Sequence, residues 1–288
     1  MEKNRTIGIV GLGLIGGSMA VDLRARGYAS RFIGTDKNPL NADAAVRLGL
    51  VDRVASLEEC VDESDIIVVS VPVSAAAGII QTVLDLIRDK AYEGKIVMDV
   101  CSTKSQIAGR LKYHPCRKRY VASHPMAGTE HSGPWAAMPG LFDGRACIFA
   151  DVQESAPAAV KVIEELYEAL NMRILYMDSA QHDVHTAYVS HISHVTSFAL
   201  ALTVLDKEKD EKHIFDLASG GFSSTVRLAK SNADMWVPIL TQNRDNVLRV
   251  MDTYIDKMKQ FREAVASYDE DGIRRLIEEA NKIKKIIR

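Results

Sequence analysis

The segment Gly11-Leu12-Gly13-Leu14-Ile15-Gly16 constrains this chain more than any other. It lies between a short apolar run, Thr6–Val10, and an apolar helical pattern over residues 14–26 that Gly27 stops. Gly11 permits a tight turn, Gly13 lets the backbone approach a pyrophosphate, and Gly16 lets the helix pack close to the strand. Leu12, Leu14 and Ile15 complete a loop whose N–H groups and positive helix end suit phosphate. A second strand over residues 31–35 leads into Asp36, about 20 residues after Gly16. Its carboxylate is placed to accept hydrogen bonds from ribose hydroxyls and would repel a 2′-phosphate, which favours NAD over NADP. The neighbouring Lys37 works the other way, since a cation could partly accommodate that phosphate. The competing reading is an ordinary glycine turn beside a surface Asp.

Beyond this motif, short β-rich runs alternate with helical stretches. Strands are expected at 65–71, 95–99, 120–123, 146–150 and 173–177, and helices at 41–49, 74–88, 104–111 and 155–170. The continuous apolar letters of 65–71 indicate a strand covered on both faces. The alternation predicts an α/β fold: a doubly wound, mostly parallel sheet with helices on both sides. After Asp178 no strand is legible. One long helix is expected over 181–205 and shorter ones at 214–218, 223–231, 233–262 and 269–287. The run from Asp206 to Lys212 is a solvated, mixed-charge segment. The domains are therefore 1–178, a dinucleotide-binding unit, and 179–288, an all-helical one, with a ligand expected in the cleft between them.

Composition narrows the partners. Lys plus Arg number 36 against 38 Asp plus Glu, a net charge of −2, so nothing favours nucleic acid or an anionic membrane. No apolar run reaches the roughly 18 residues of a span, and the stretch after Met1 is Gly-rich and does not read as a signal peptide. Cys60, Cys101, Cys116 and Cys147 are widely spaced and read as reduced, packed thiols. The expectation is a cytoplasmic protein.

In a doubly wound sheet, ligands sit beyond the carboxyl ends of the strands. Val71 and Pro72, Ser102, and the segment His124 to Glu130, which includes Thr129, all emerge there. His124 is either a structural hydrogen-bonding residue or a functional one, and its position favours the second. His191 and His194 are three apart and share a helix face. They read as cleft-wall histidines, with no metal, since no carboxylate or Cys completes a ligand set. Gly220-Gly221 before Arg227 suits an anion site, Arg being a bidentate carboxylate clamp, although a surface Arg has the same spacing. Trp236 is either the wall of a ring pocket or a core residue.

The segments GLGLIGGS, VVSVPVS, DVCSTKS, SHPMAGTEHSG, YVSHISH and GGFSSTVRLAKSNADMW, in this order and spacing, resemble the prephenate/arogenate dehydrogenase family of tyrosine biosynthesis. The resemblance spans about residues 6–260; SHPMAGTE and the SHxxH helix are its specific parts. It implies a Rossmann domain followed by a helical dimerisation domain, and the NAD-dependent oxidative decarboxylation of prephenate to 4-hydroxyphenylpyruvate. By that resemblance His124 is the catalytic base, Ser102 holds the same substrate hydroxyl and orients His124, and His194 positions substrate and nicotinamide. Arg227 binds a substrate carboxylate, Thr129 and Glu130 border the site, and Trp236 lines it. The cofactor contacts are Gly11 to Gly16, Asp36, Val71, Pro72 and Ser102. The resemblance also implies a homodimer through the helical domain. The length points to a bare catalytic unit with no fused mutase or regulatory module.

Arogenate is the rival substrate. A β-hydroxyacid-dehydrogenase or imine-reductase type of enzyme is disfavoured, because that group carries a catalytic Lys on the long helix and residues 181–205 contain none. A dinucleotide-binding sensor without turnover is disfavoured by the presence of Ser102, His124, His194 and Arg227 together.

Overall fold

The computed structural model describes residues 5–89, 92–211 and 213–286. Met1, Lys212 of the charged run and the expected helix end at Ile287 lie outside them. Eight strands form one sheet in the order β3-β2-β1-β4-β5-β6-β7-β8: β1 (Thr6–Val10), β2 (Arg31–Thr35), β3 (Arg53–Val54), β4 (Ile66–Val69), β5 (Ile96–Asp99), β6 (Tyr120–Pro125), β7 (Ala146–Ala150) and β8 (Arg173–Met177). Every pairing is parallel except β6 with β7, whose register sets His124 opposite Ile148. The strand order reverses between β1 and β4, so a crevice opens where the glycine segment leaves β1.

The central strands alternate their side chains between two apolar layers. Ile7, Ile9, Ile66 and Val68 face a core shared with Met19, Phe142, Phe149 and Leu166. Val10, Ile67, Val69 and Val97 face a second core with Ile80, Val83 and Ile107. Both faces are thus covered, by α1 (Leu14–Ala25) and α6 (Pro157–Ala169) on one side and α4 (Val73–Leu86) and α5 (Ser105–Leu111) on the other. The remaining helices of this half are α2 (Pro39–Arg47) and α3 (Leu57–Glu63). Neither β3 nor α3 is among the elements expected from sequence. Helix α3 starts at a capping box, Ser56 with Glu59, which satisfies two N–H groups reciprocally.

The chain then runs through α7 (Ser179–Thr186), a single π turn (Ala187–His191) and α8 (Ile192–Asp210). The expected single helix is therefore interrupted, and the π turn rotates His194 relative to His182. Within the 31 residues of Ser179–Lys209, the most apolar 18-residue window has a mean hydropathy of 1.3, and 11% of that window is buried. By length and composition alone that window passes for a span, but His191, Ser193, His194, Thr196 and Ser197 interrupt it, so it is not a continuous apolar run.

Further on come α9 (Gly220–Thr225), α10 (Ala233–Gln242), α11 (Arg244–Ala266) and α12 (Glu270–Ala280). Arg227 lies in a 3₁₀ turn, Arg227–Lys230, rather than in the helix expected there. The helix expected over 233–262 is broken at Asn243, which is 4% exposed. The Asn243 Nδ2 donates to the Asp183 carbonyl (2.6 Å) and lies 3.2 Å from His191 Nδ1. Satisfying those buried groups outweighs continuing the helix. Trp236 and Ile239 join the second sheet core, and Gln242 receives the Thr103 hydroxyl at 2.7 Å while donating to the Val73 carbonyl at 2.9 Å. These contacts lock the helical half against the strand ends.

Candidate active site

At the β1 exit, Gly11 has φ = +97°, and a Cβ there would meet the Ser70 carbonyl oxygen at 2.5 Å. A Cβ on Gly16 would strike the Ser70 hydroxyl and the Gly11 carbonyl. The Ser70 hydroxyl, in turn, donates to the Gly11 carbonyl at 2.7 Å, so the first strand–helix turn is tied to the end of β4. Gly13 differs: a Cβ would meet nothing within 4 Å. It precedes α1 as a cap without a side-chain hydrogen bond, leaving open space and N–H groups where a diphosphate fits. Asp36 accepts from Leu12 N and Asn38 N, both at 2.8 Å. The carboxylate therefore fixes the loop as well as facing it, and a carboxylate has about four acceptor positions, enough for ribose hydroxyls too. Leu12 and Leu14 are buried, with Leu12 packed beneath Gly34; Ile15 and Val71 are half-buried and Pro72 is exposed. These residues fit a dinucleotide.

Three strand ends along, His124 is 9% exposed at the end of β6. Its Nδ1 lies 2.8 Å from Nε2 of His182, whose Nδ1 lies 2.8 Å from Asp183 Oδ1. The two rings meet edge to face, with centroids 5.0 Å apart. Ser102 is half-buried and, among the described residues, makes no hydrogen bond. The side chain that His124 meets here is His182, which the sequence reading left without a role, and the Ser102 hydroxyl is left available. Burial, then the neighbouring His182, Lys104 and His191, hold His124 well below the ordinary imidazole range. It is neutral near pH 7 and able to accept a proton.

The helical half supplies the opposite wall. His194 stacks on Trp236 at 3.5 Å between centroids and 25° between planes. Its Nδ1 lies 3.1 Å from the Ser190 carbonyl, so Nδ1–H donates and Nε2 is left for another partner. Burial also holds this ring below its ordinary value. Trp236 is 6% exposed, and its Nε1–H has no acceptor among the described residues. It is at once a core residue and a wall, so the two sequence readings are not exclusive. His191 lies deeper, edge-on to Trp236, and burial pushes it down to about 4. The two histidines of the H-x-x-H pair share Trp236 as a ring neighbour but have separate hydrogen-bond partners, the Ser190 carbonyl for His194 and Asn243 for His191.

Arg227 reaches back to the sheet half and donates from Nη1 to Glu130 Oε2 at 3.1 Å. Glu130 and Thr129 are half-buried on the segment after β6, and Thr129 Oγ1 accepts from His131 N at 3.2 Å. The site thus gathers a buried imidazole at a strand end, an Arg–Glu pair between the two halves and a stacked His–Trp pair. Sequence reasoning assigned no role to His182 and Asp183. Their adjacency at the first turn of a helix resembles an ordinary solvated cap, and only the fold turns them onto β6.

Two family models match: "Prephenate dehydrogenase, nucleotide-binding domain" over residues 19–176 and "Prephenate dehydrogenase, dimerization domain" over 178–279. The chain is 30% identical over 285 residues to a prephenate dehydrogenase of Bacillus subtilis, covering 97% of this chain and 75% of that protein. It is 31% identical to a cyclohexadienyl dehydrogenase of Zymomonas mobilis, covering 99% and 96%. Among solved structures it is similar to prephenate dehydrogenase from Aquifex aeolicus in complex with hydroxyphenyl propionate and NAD⁺, with a TM-score of 0.86 and 28% identity over 99% of this chain and 98% of that one. It is also similar to an arogenate dehydrogenase from Synechocystis, with a TM-score of 0.76 and 26% identity over 97% and 99%. With both family models matched across the two halves of the chain, this protein belongs to the prephenate dehydrogenase family.

Proposed function

We propose that this chain is an NAD-dependent prephenate dehydrogenase that converts prephenate to 4-hydroxyphenylpyruvate and CO₂ in tyrosine biosynthesis. The observation that carries the reading is His124, a buried imidazole at the end of β6 with one nitrogen engaged by His182 and the other without a hydrogen bond among the described residues. Gly11 to Gly16, Asp36, Val71, Pro72 and Ser102 hold the cofactor, which when bound accepts the hydride from the ring carbon bearing the hydroxyl.

The chain's own residues do the rest. His124 takes the hydroxyl proton as the hydride leaves. Loss of CO₂ then makes the ring aromatic, and the overall equation releases no proton, so the same base returns it to the phenolic oxygen. Ser102 holds that oxygen. Arg227 binds a substrate carboxylate, with Glu130 and Thr129 beside it. His194, held flat against Trp236, positions the ring. Aromatisation supplies the driving force, so the protein's work is mainly orientation and the handling of one proton.

The long exposed apolar helix supports a homodimer through residues 179–288, and the biosynthetic reaction supports a cytoplasmic location. Arogenate is the second reading, favoured by the Synechocystis similarity. The test is NADH formation with prephenate and arogenate, each with NAD⁺ and NADP⁺. Turnover is expected with prephenate and NAD⁺; no turnover with either substrate would overturn the assignment.

A further inference from the structure

We propose that His182 and Asp183 fix the ring tautomer of His124, keeping its hydrogen on Nδ1 and leaving Nε2 bare as the base. The inference rests on His124 as the base. It follows from counting donors. Both oxygens of the Asp183 carboxylate receive backbone N–H groups from the start of α5: Lys104 N to Oδ1 at 2.8 Å and Ser105 N to Oδ2 at 2.9 Å. Those oxygens are acceptors, so the 2.8 Å contact between Oδ1 and His182 Nδ1 is closed by a hydrogen on the histidine. A neutral His182 then has only a lone pair on Nε2. The 2.8 Å contact of that atom with His124 Nδ1 must be closed from the His124 side. Nδ1 of His124 is the donor, and Nε2 carries the lone pair.

The surroundings keep each member in that state. Burial alone would raise the Asp183 carboxyl, but the bonds from His182, Ser105 and Lys104 outweigh it and hold it low, so it stays anionic. Burial lowers His182, which is fully buried, against the pull of Asp183. The charged and titratable groups facing the two rings are the buried Lys104–Asp99 ion pair (2.5 Å), His191, and Cys147 from β7. Lys104 and His191 both disfavour a second proton on His124. Thr186 donates to the His182 carbonyl at 3.0 Å and Asn243 to that of Asp183 at 2.6 Å, so both residues have fixed backbones. Because Asp183 comes from α7 and its two N–H donors from α5, docking of the helical half onto the sheet also selects the base form of His124. His182 and Asp183 are positioning residues; neither needs to touch substrate.

Two measurements test this. In the wild-type protein labelled with ¹⁵N-histidine, His124 is expected to show a pyrrole-type Nδ1 and a pyridine-type Nε2; the reverse pattern overturns the proposal whatever the enzyme turns over. In kinetics, Asp183→Asn replaces one of the two acceptors with an NH₂ that cannot receive its N–H group from α5, so the anionic hold on the His182 Nδ1 hydrogen is lost. It and His182→Leu are expected to lower kcat at least thirtyfold, with KM for prephenate within threefold and NAD⁺ affinity unchanged. In serine hydrolases the matching amide substitution costs about 10⁴ in kcat. His182→Gln, whose amide oxygen can accept from His124 Nδ1, is expected to stay within tenfold of wild type. If the Asn and Leu variants bind NAD⁺ normally and keep kcat within threefold, the relay is wrong. His124→Asn, run alongside, separates the causes: if that variant too keeps its turnover, the base assignment itself has failed.

Discussion

Arg227 and Glu130, 97 residues apart in sequence, meet at 3.1 Å across the mouth of the cleft. The Arg227 side chain is 53% exposed and that of Glu130 only 22%. The carboxylate is thus the more buried partner and the guanidinium the more exposed one. The Glu130 carboxyl is held below its ordinary value, first by its own backbone N–H and, among other groups, by Arg227. On the proposed reading, an incoming substrate carboxylate would compete with Glu130 for this arginine. With a net charge of only −2, the chain has no general positive field to assist capture of a dianion.

Arg227→Ala is accordingly expected to raise KM for prephenate roughly ten- to hundredfold, the worth of a charge-assisted hydrogen bond, with a much smaller change in kcat. Glu130→Gln removes the competing charge and is expected to lower KM severalfold. Steady-state kinetics on both variants check this, and an unchanged KM in Arg227→Ala places the clamp elsewhere.

His124→Asn is expected to lower kcat at least a hundredfold with KM within threefold, since a positioned general base contributes about 10²–10⁴. The amide can keep a hydrogen bond to His182 but cannot take a proton. Near-normal turnover at pH 7.5 would refute the assignment.

The strands and the glycine loop were legible because burial on both sheet faces writes continuous apolar runs, and the turn demands glycine at fixed spacing. β3 is two residues long and falls below any pattern. Helix α3 announced itself only through Ser56 and Glu59. The break at Asn243 is invisible to periodicity because its cause, the Asp183 carbonyl and His191, lies about 50 or more residues away. In the site, His124, Ser102, His194, Arg227 and Trp236 were named from motif resemblance. The His182–Asp183 pair was not, because its function depends on two backbone N–H groups of α5 that no side-chain pattern encodes.

Asp36 should set cofactor preference. Calorimetry is expected to show NAD⁺ binding at least tenfold more tightly than NADP⁺, through ribose hydroxyls meeting the carboxylate and repulsion of a 2′-phosphate. In Asp36→Asn the discrimination is expected to shrink about tenfold, mostly through weaker NAD⁺ binding, because Leu12 N and Asn38 N lose part of their acceptor. Tighter NADP⁺ binding by the wild type would contradict this.

The buried histidines make stability fall in acid. Burial lowers His124, His182 and His191 in the folded state, His191 to about 4 from 6.5. The unfolded chain therefore binds more protons below about pH 6.5, and stability rises with pH through that window. Their contribution is complete above about pH 7 and is lost progressively as pH falls from 6.5 toward 4, with His191 alone accounting for roughly 3 kcal/mol. Thermal melts between pH 7.5 and 4.5 should show the midpoint dropping, and His191→Asn should flatten that drop at some cost to stability at pH 7.5. A flat wild-type profile would show that these rings are not neutral and buried.

The helical half leaves apolar side chains uncovered in the monomer. Leu202 is 60% exposed and Leu205 49% on α8, Val265 60% on α11 and Ile277 49% on α12. Within Ser179–Lys209, an 18-residue window this apolar, with 11% of it buried, calls for a cover. A second copy is expected to supply it by two-fold pairing of the same surface, in the region that matches the family's dimerization domain. Light scattering is expected to give twice the 31.7 kDa chain mass at micromolar concentration. Leu202→Glu, which buries a charge against the partner, should shift the species toward monomer. Because Arg227 and His194 sit on the same helical half, turnover should fall with dissociation and recover at higher protein concentration. A wild-type monomer at tens of micromolar, with full activity, would mean that another partner covers this face.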